Sequence, residues 1–271
     1  MTFSIAPMMK WTDQHCRYFH RILTKKAILF TEMISVDAIL YGPQHKLLSS
    51  NYFDNSTVIQ GGGNDPKKLG KVAKIVEKYG YTEINLNIGC PSNRVKSGNF
   101  GACLMASPQI VSDCVKSIKN NSNLKVSIKC RIGIDDMSSL DLDRFVSITS
   151  TAGVKKFIIH ARKAILGGLS PKQNREIPPL DYQRVEKLKK EKNALIIIMN
   201  GGIVSLEAGI KHTRDLNLDG FMMGREAYKN PYILSFADKL IYGDSNGENI
   251  SRRTVASVSY THLTLPTRTR V

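Results

Sequence analysis

The sequence predicts an α/β fold, a (β/α)8 TIM barrel with a truncated C-terminal extension. Short apolar, β-favourable runs alternate with helix-periodic runs, and the alternation repeats eight times. The apolar runs end in polar or glycine-containing residues, which is where a parallel barrel carries its chemistry. The plainest case is the stretch 83–105, EINLNIGCPSNRVKSGNFGACLM. An open doubly wound sheet also satisfies the alternation, but the polar strand endings favour the barrel.

In chain order the strand candidates are 3–6, 28–33, 57–60, 83–88, 125–132, 156–160, 195–200 and 220–223. Helical patterns fall between them at 12–23, 36–41, 66–79, 108–120, 140–150, 181–192 and 205–214. The helix at 66–79 is the clearest. Leu69, Val72, Ala73 and Val76 share one face and lysines the other. Asp65 supplies an N-cap and Pro66 a first helical position. In 83–88, Ile84, Leu86 and Ile88 alternate with Asn85 and Asn87, the period of a strand. Gly89-Cys90-Pro91 ends it abruptly, and a basic loop with Arg94, Lys96, Gly98 and Gly101 follows.

At 271 residues and 42% hydrophobic content, the chain can build one large domain, or one domain and a fragment of another. Its 39 Lys and Arg against 23 Asp and Glu give +16, which favours a polyanionic partner such as nucleic acid. The five cysteines, Cys16, Cys90, Cys103, Cys114 and Cys130, contain no C-x-x-C pair. That predicts reduced thiols, no metal site and a cytoplasmic setting. No apolar run approaches the roughly 18 residues of a membrane span, and no signal-peptide pattern opens the chain, so no membrane association is expected.

The strand ends collect the candidate functional residues. Gln60 closes the third strand, Asn87 and Cys90 the fourth, and Lys129 and Arg131 lie on the fifth. His160 closes the sixth, Asn200-Gly201-Gly202 the seventh and Gly224-Arg225 the eighth. A free cysteine ionises near about 8.5, so at neutrality it is mostly a thiol with a proton to donate. The same residue can also simply fill a turn. Gln60 and Asn200 can serve as bridges between loops, and His160 as a satisfied core histidine. Lys129 is harder to assign to the core, because a lysine in an apolar strand needs a partner to offset its desolvation. Barrels often hold a phosphate between the loops after strands seven and eight. Gly201-Gly202 allows close backbone approach there, and Arg225 adds a guanidinium.

These residues resemble the tRNA-dihydrouridine synthases, flavoproteins that reduce uridines in tRNA. The likeness runs in order through APMMKWTDQHCRYFHR at 6–21, TEM at 31–33, QGGGNDP at 60–66, INLNIGCPS at 84–92 and GNFGACLM at 98–105. It continues through KCRIGIDD at 129–136, HARKAILGGLSPKQNREIPPLDY at 160–182, NGGI at 200–203 and GREAYKNP at 224–231. The HARK segment most resembles the A subfamily, and the likeness is traced over 3–243. The resemblance implies FMN across the barrel mouth, with Pro7, Met8, Met9 and Gln60 facing the ring system and Lys129 and His160 beside it. It implies Asn200, Gly201, Gly202, Gly224 and Arg225 at the phosphate, and Asn87 and Arg131 at the target uracil. Cys90 matches the family's proton donor, NADPH is the implied reductant, and the implied targets are D-loop uridines 20 and 20a. Lys163 and Arg175, with Lys96 and Lys172, are the basic loop residues expected to meet tRNA. The protein is expected to be a monomer.

The resemblance divides the chain into a catalytic barrel at 1–243 and a tail at 244–271. The tail stands in place of the family's C-terminal helical domain. Its last stretch, SVSYTHLTLPTRTRV, shows no helix periodicity and is expected to be disordered or of artefactual sequence. Two other functions share parts of this pattern: a small-molecule pyrimidine oxidoreductase on a similar barrel, and an RNA-binding barrel that keeps flavin only as structure. The basic excess and the HARK segment argue against the first; Cys90, Lys129 and His160 together argue against the second.

Overall fold

The computed structural model describes residues 1–49, 56–244 and 250–264. Among them, eight parallel strands form the centre: β1 (Thr2–Ile5), β2 (Leu29–Ser35), β3 (Thr57–Gly62), β4 (Glu83–Ile88), β5 (Lys125–Arg131), β6 (Lys156–His160), β7 (Ile196–Asn200) and β8 (Gly220–Met223). Around them lie α1 (Gln14–Leu23), α2 (Val36–Tyr41), α3 (Gln44–Leu48), α4 (Pro66–Lys78), α5 (Asn93–Ser97) and α6 (Pro108–Asn121). The series continues with α7 (Ser139–Thr151), α8 (Tyr182–Glu191), α9 (Leu206–Asp215), α10 (Arg225–Lys229), α11 (Ala237–Tyr242) and α12 (Arg252–Thr264).

The ladder runs β1-β8-β7-β6-β5-β4-β3-β2, all parallel. The two ends meet: Ile5 N–H donates to the Ile28 carbonyl at 2.9 Å, and Ile28 N–H donates to Phe3 O at 3.0 Å. This bridge at the foot of β2 closes the sheet into a barrel. It is the expected fold.

Strand residues of one parity point outward and bury against the helices. Phe3, Ile59, Ile84, Ile128, Phe157, Ile159, Ile197 and Phe221 are all fully buried there. The other parity lines the interior, where Ala6, Phe30, Val58, Ile158, Ile198 and Met222 form a separate apolar cluster capped by Met8. The helices begin as the sequence predicts. Asp65 accepts from Lys68 N–H at 3.1 Å, with Pro66 first in α4. Asp13 likewise caps α1, one residue past the expected start.

Two differences from expectation have physical causes. The basic loop after Cys90 contains a short helix, α5, and a 3-10 segment at 101–106; both are too short to show a periodicity. The stretch from Ser257, expected to lack regular structure, continues α12 as far as Thr264. That helix packs on α1, with Val255 buried and Arg252 stacked 4.1 Å from the Tyr232 ring centre. Tertiary contact thus overrides a weak intrinsic preference. Residues 265–271, the rest of that expectation, lie outside the described residues, as do 245–249 of the tail. Among the described residues, no helix is long and apolar enough to cross a membrane.

A candidate active site at the barrel mouth

Cys90 sits just past the end of β4, and its backbone is held from both sides. Its N–H donates to Asn87 Oδ1 at 3.0 Å, as Gly89 N–H does at 3.2 Å, so Asn87 builds an Asx-type turn around the strand end. Its carbonyl accepts from Ala102 N–H at 3.0 Å. Gly101, at φ +75°, makes that return possible, since a Cβ there would lie 2.7 Å from Cys90 O. The half-buried Cys90 thiol faces Ser92 Oγ at 3.4 Å. Burial pushes Cys16, Cys114 and Cys130 up to about 12, which removes them as acids or nucleophiles near neutrality.

Across the mouth, Lys129 Nζ donates to Asn200 Oδ1 at 3.0 Å, and Asn200 Nδ2 donates to Met222 O at 2.8 Å. Desolvation first, and then Arg131, lowers the Lys129 ammonium to about 8. Arg131 is buried and lowered to about 10 by burial and by Arg175. His160 is held well below its usual value by burial and then by Arg131 and Lys129, so it is a neutral imidazole. Its ring lies over Gly201, whose φ is +105° and whose added Cβ would meet His160 Cδ2 at 2.6 Å. Glycine at 201 therefore answers to both a backbone and a packing demand.

The strand-end residues come together as expected, and several already have partners within the fold. Arg131 spends its donors on backbone: Nε on Gly89 O at 3.3 Å, Nη1 on Asn174 O at 2.8 Å and on Lys163 O at 3.2 Å. It therefore ties the turn before Cys90 to the segment after β6. Lys163 Nζ reaches Met137 O at 2.6 Å and Asp135 O at 3.2 Å, so it staples the loop after β5. Arg225 is paired with Glu176 at 2.6 Å. Gln60 is buried, donating Nε2 to Asn85 Oδ1 at 2.8 Å and accepting from Asn87 Nδ2 at 2.9 Å. Pro7 and Met8 are half-buried past β1, Met9 is exposed, and Gly202 and Gly224 lie at the ends of β7 and β8. Arg175 and Lys172 are exposed on the loop after β6, and Lys96 donates to Leu166 O at 3.2 Å.

Ser92, Asn174 and Glu176 were not anticipated. Asn174, fully buried, bonds Ile165 N–H through Oδ1 at 2.7 Å and the Ile165 carbonyl through Nδ2 at 2.9 Å. An asparagine within a run of turn formers is the only signal the sequence offers for it. Glu176 follows Arg175 directly, and an acid in that basic loop marks a local partner.

The chain matches the protein family described as Dihydrouridine synthase (Dus) over residues 4–265. It is 49% identical over 262 residues to the tRNA-dihydrouridine(20/20a) synthase of Vibrio vulnificus (strain CMCP6), covering 96% of this chain and 79% of that protein. Against the protein so named from Escherichia coli O6:H1 (strain CFT073) it is 51% identical over 246 residues, 90% of this chain and 73% of the other. The one from Yersinia pestis is 50% identical over 242 residues, 89% and 69%. The family match passes residue 243 and includes the whole of α12.

Proposed function

The chain belongs to the dihydrouridine synthase family, a family of flavin-dependent oxidoreductases, and from that premise we propose that it reduces uridines 20 and 20a of tRNA to 5,6-dihydrouridine, with FMN as cofactor and NADPH as reductant. The residues present fit an anionic, phosphate-bearing group. Lys129 is a desolvated ammonium hydrogen-bonded to a neutral amide, and a Cβ at Gly224 would meet Ala6 at 3.9 Å. Lys129, His160, Gln60, Pro7, Met8 and Met9 would hold the ring system, and Asn200, Gly201, Gly202, Gly224 and Arg225 the phosphate. When bound, FMN supplies a hydride to uracil C6 after reduction by NADPH.

The protein's own part is to receive the base, orient it and move one proton. A stacked uridine must be extruded to reach the mouth, at a cost of a few kcal/mol. Arg175, Lys172 and Lys96 on the surrounding loops can offset that cost through the RNA backbone. Asn87 has a second Nδ2 hydrogen to offer the uracil, the first being committed to Gln60. Cys90 Sγ gives its proton to C5. The sulfur left behind lies beside the Ser92 hydroxyl at 3.4 Å. The observation that carries this reading is the position of Cys90: a thiol pinned through both backbone groups, at a strand end ringed by cations.

Cys90→Ala should keep FMN and NADPH oxidation while dihydrouridine formation falls about 10²–10⁴-fold, the usual contribution of a positioned acid. Product formation at the unmodified rate across a range of pH would remove Cys90 from the reaction.

A further inference from the structure

One wall of the barrel interior is not built like the rest. β4 turns Glu83, Asn85 and Asn87 inward, alternate residues on one face, and none is apolar. The facing wall is the apolar cluster of Phe30, Val58, Ile158, Ile198 and Met222. Barrel interiors are ordinarily filled with layers of branched apolar side chains, and buried polar groups cost stability unless every bond is made. Here each of these side chains is bonded to the next. Lys156 Nζ lies 2.6 Å from Glu83 Oε2 at the floor. Ser127 Oγ donates to Glu83 Oε1 at 2.6 Å, and Asn85 Nδ2 to Ser127 Oγ at 2.9 Å. Gln60 Nε2 then donates to Asn85 Oδ1, Asn87 Nδ2 to Gln60 Oε1, and the N–H groups of Gly89 and Cys90 to Asn87 Oδ1.

Every donor points the same way, from mouth to floor. Serine, asparagine and glutamine can each donate or accept, so nothing within the middle of the chain selects that direction. Its two ends do. A carboxylate accepts only, and a backbone N–H donates only. We propose that Glu83, held by Lys156 and connected through Ser127 and Asn85, is the positioning residue that fixes the carboxamide orientation of Gln60 and Asn87, and through them the seat of Cys90. It acts from four residues down the strand, about 13 Å below Asn87. The catalytic consequence rests on the dihydrouridine reading above; the amide orientation does not.

Glu83→Gln is the diagnostic variant. Lys156, a donor only, would draw the new amide oxygen to itself and turn the amide nitrogen toward Ser127. That favours the reversed direction, which sets the Asn87 amide nitrogen against the N–H groups of Gly89 and Cys90. Ser127→Ala cuts the chain at its second link, and Ser127→Thr restores the hydroxyl. Two measurements apply to the full chain: hydrogen exchange of the Gly89 and Cys90 amides against those of Ile128 and Ile159, and single-turnover dihydrouridine formation by the FMN-loaded, pre-reduced enzyme on tRNA. Exchange at Gly89 and Cys90 should rise at least about tenfold in Glu83→Gln and Ser127→Ala, with Ile128 and Ile159 unchanged. Product formation should slow about 10- to 100-fold, the scale of a small misplacement, and Ser127→Thr should recover both readouts. Unchanged exchange at Gly89 and Cys90, exchange raised equally across β5 and β6, or a Ser127→Thr that behaves as Ser127→Ala would each overturn the proposal. A wild-type protein that forms no dihydrouridine, yet shows the exchange pattern, would overturn the functional reading and support the orientation.

Discussion

The two ends of this barrel treat their lysines in opposite ways. At the floor, Lys156 meets Glu83 at 2.6 Å and both are satisfied within the fold. At the mouth, among the described residues, Lys129 on an adjacent strand bonds the Asn200 carboxamide and Arg131 bonds carbonyls. Among the described residues, the one acid ion-paired near these mouth cations is Glu176, and it is held by Arg225. A charge satisfied inside the fold serves the fold. A desolvated charge without a counter-ion stores a demand that an anionic ligand can meet, so the imbalance at the mouth is itself a statement about what binds there.

That contrast can be broken most forcefully from below. Lys156→Met leaves Glu83 buried without its counter-charge, and should cost about 3–5 kcal/mol in the flavin-free protein, read by urea denaturation. A loss under about 1 kcal/mol would mean that the floor pair is no more than a surface ion pair. Next in size is the phosphate end. Arg225→Ala should weaken FMN by roughly 1.5–3 kcal/mol and riboflavin, which lacks the phosphate, much less. Glu176→Ala should move FMN slightly the other way, because it releases Arg225 from an exposed pair. Titration of both flavins against both variants checks this, and equal losses for FMN and riboflavin would move the phosphate elsewhere.

A pH effect sharpens the comparison. The folded protein holds Lys129 near about 8, below its ordinary value, so between about 8 and 10.5 the unfolded chain binds more protons than the folded one. The desolvation cost is present in full below pH 8 and is relieved as pH rises through that window. The flavin-free protein should therefore gain stability there, by at most about 1.4 kcal/mol per pH unit. Lys129→Met should abolish the gain and leave stability at pH 7 equal or higher. Urea midpoints at pH 7 and pH 10 decide it; a Lys129→Met that is less stable at pH 7 would place Lys129 with Lys156 as a structural cation.

The barrel and the gathering of polar residues at its strand ends were legible because each signal is local. Alternation in 83–88, the cap at Asp65 and the break at Gly89-Cys90-Pro91 all lie within one element. The polar column was half legible: Glu83 shares the parity of Asn85 and Asn87, which marks it as inward once the strand is assigned. Its partners Gln60, Ser127 and Lys156 lie on three other strands, and only the register brings them to one place. The duties of Arg131 and Lys163 were hidden for the same reason, since their acceptors are backbone carbonyls that no sequence pattern advertises. The Arg225–Glu176 pair spans 49 residues, a separation at which charge pattern says nothing.

The closure of the barrel has a temporal side. The full ladder partner of β1 is β8, whereas β2 reaches it through one bridge at Ile28. The fasteners over that seam come from still later in the chain: Tyr242 Oη accepts from Phe3 N–H at 3.2 Å, and Asp238 accepts from Thr24 Oγ1 at 2.5 Å and Lys25 N–H at 2.6 Å. Synthesis runs from the N-terminus, at about 5–20 residues per second. Of the eight barrel strands β1 is made first and its ladder partner β8 last, so for most of the barrel's synthesis β1 can pair only through the bridge at Ile28.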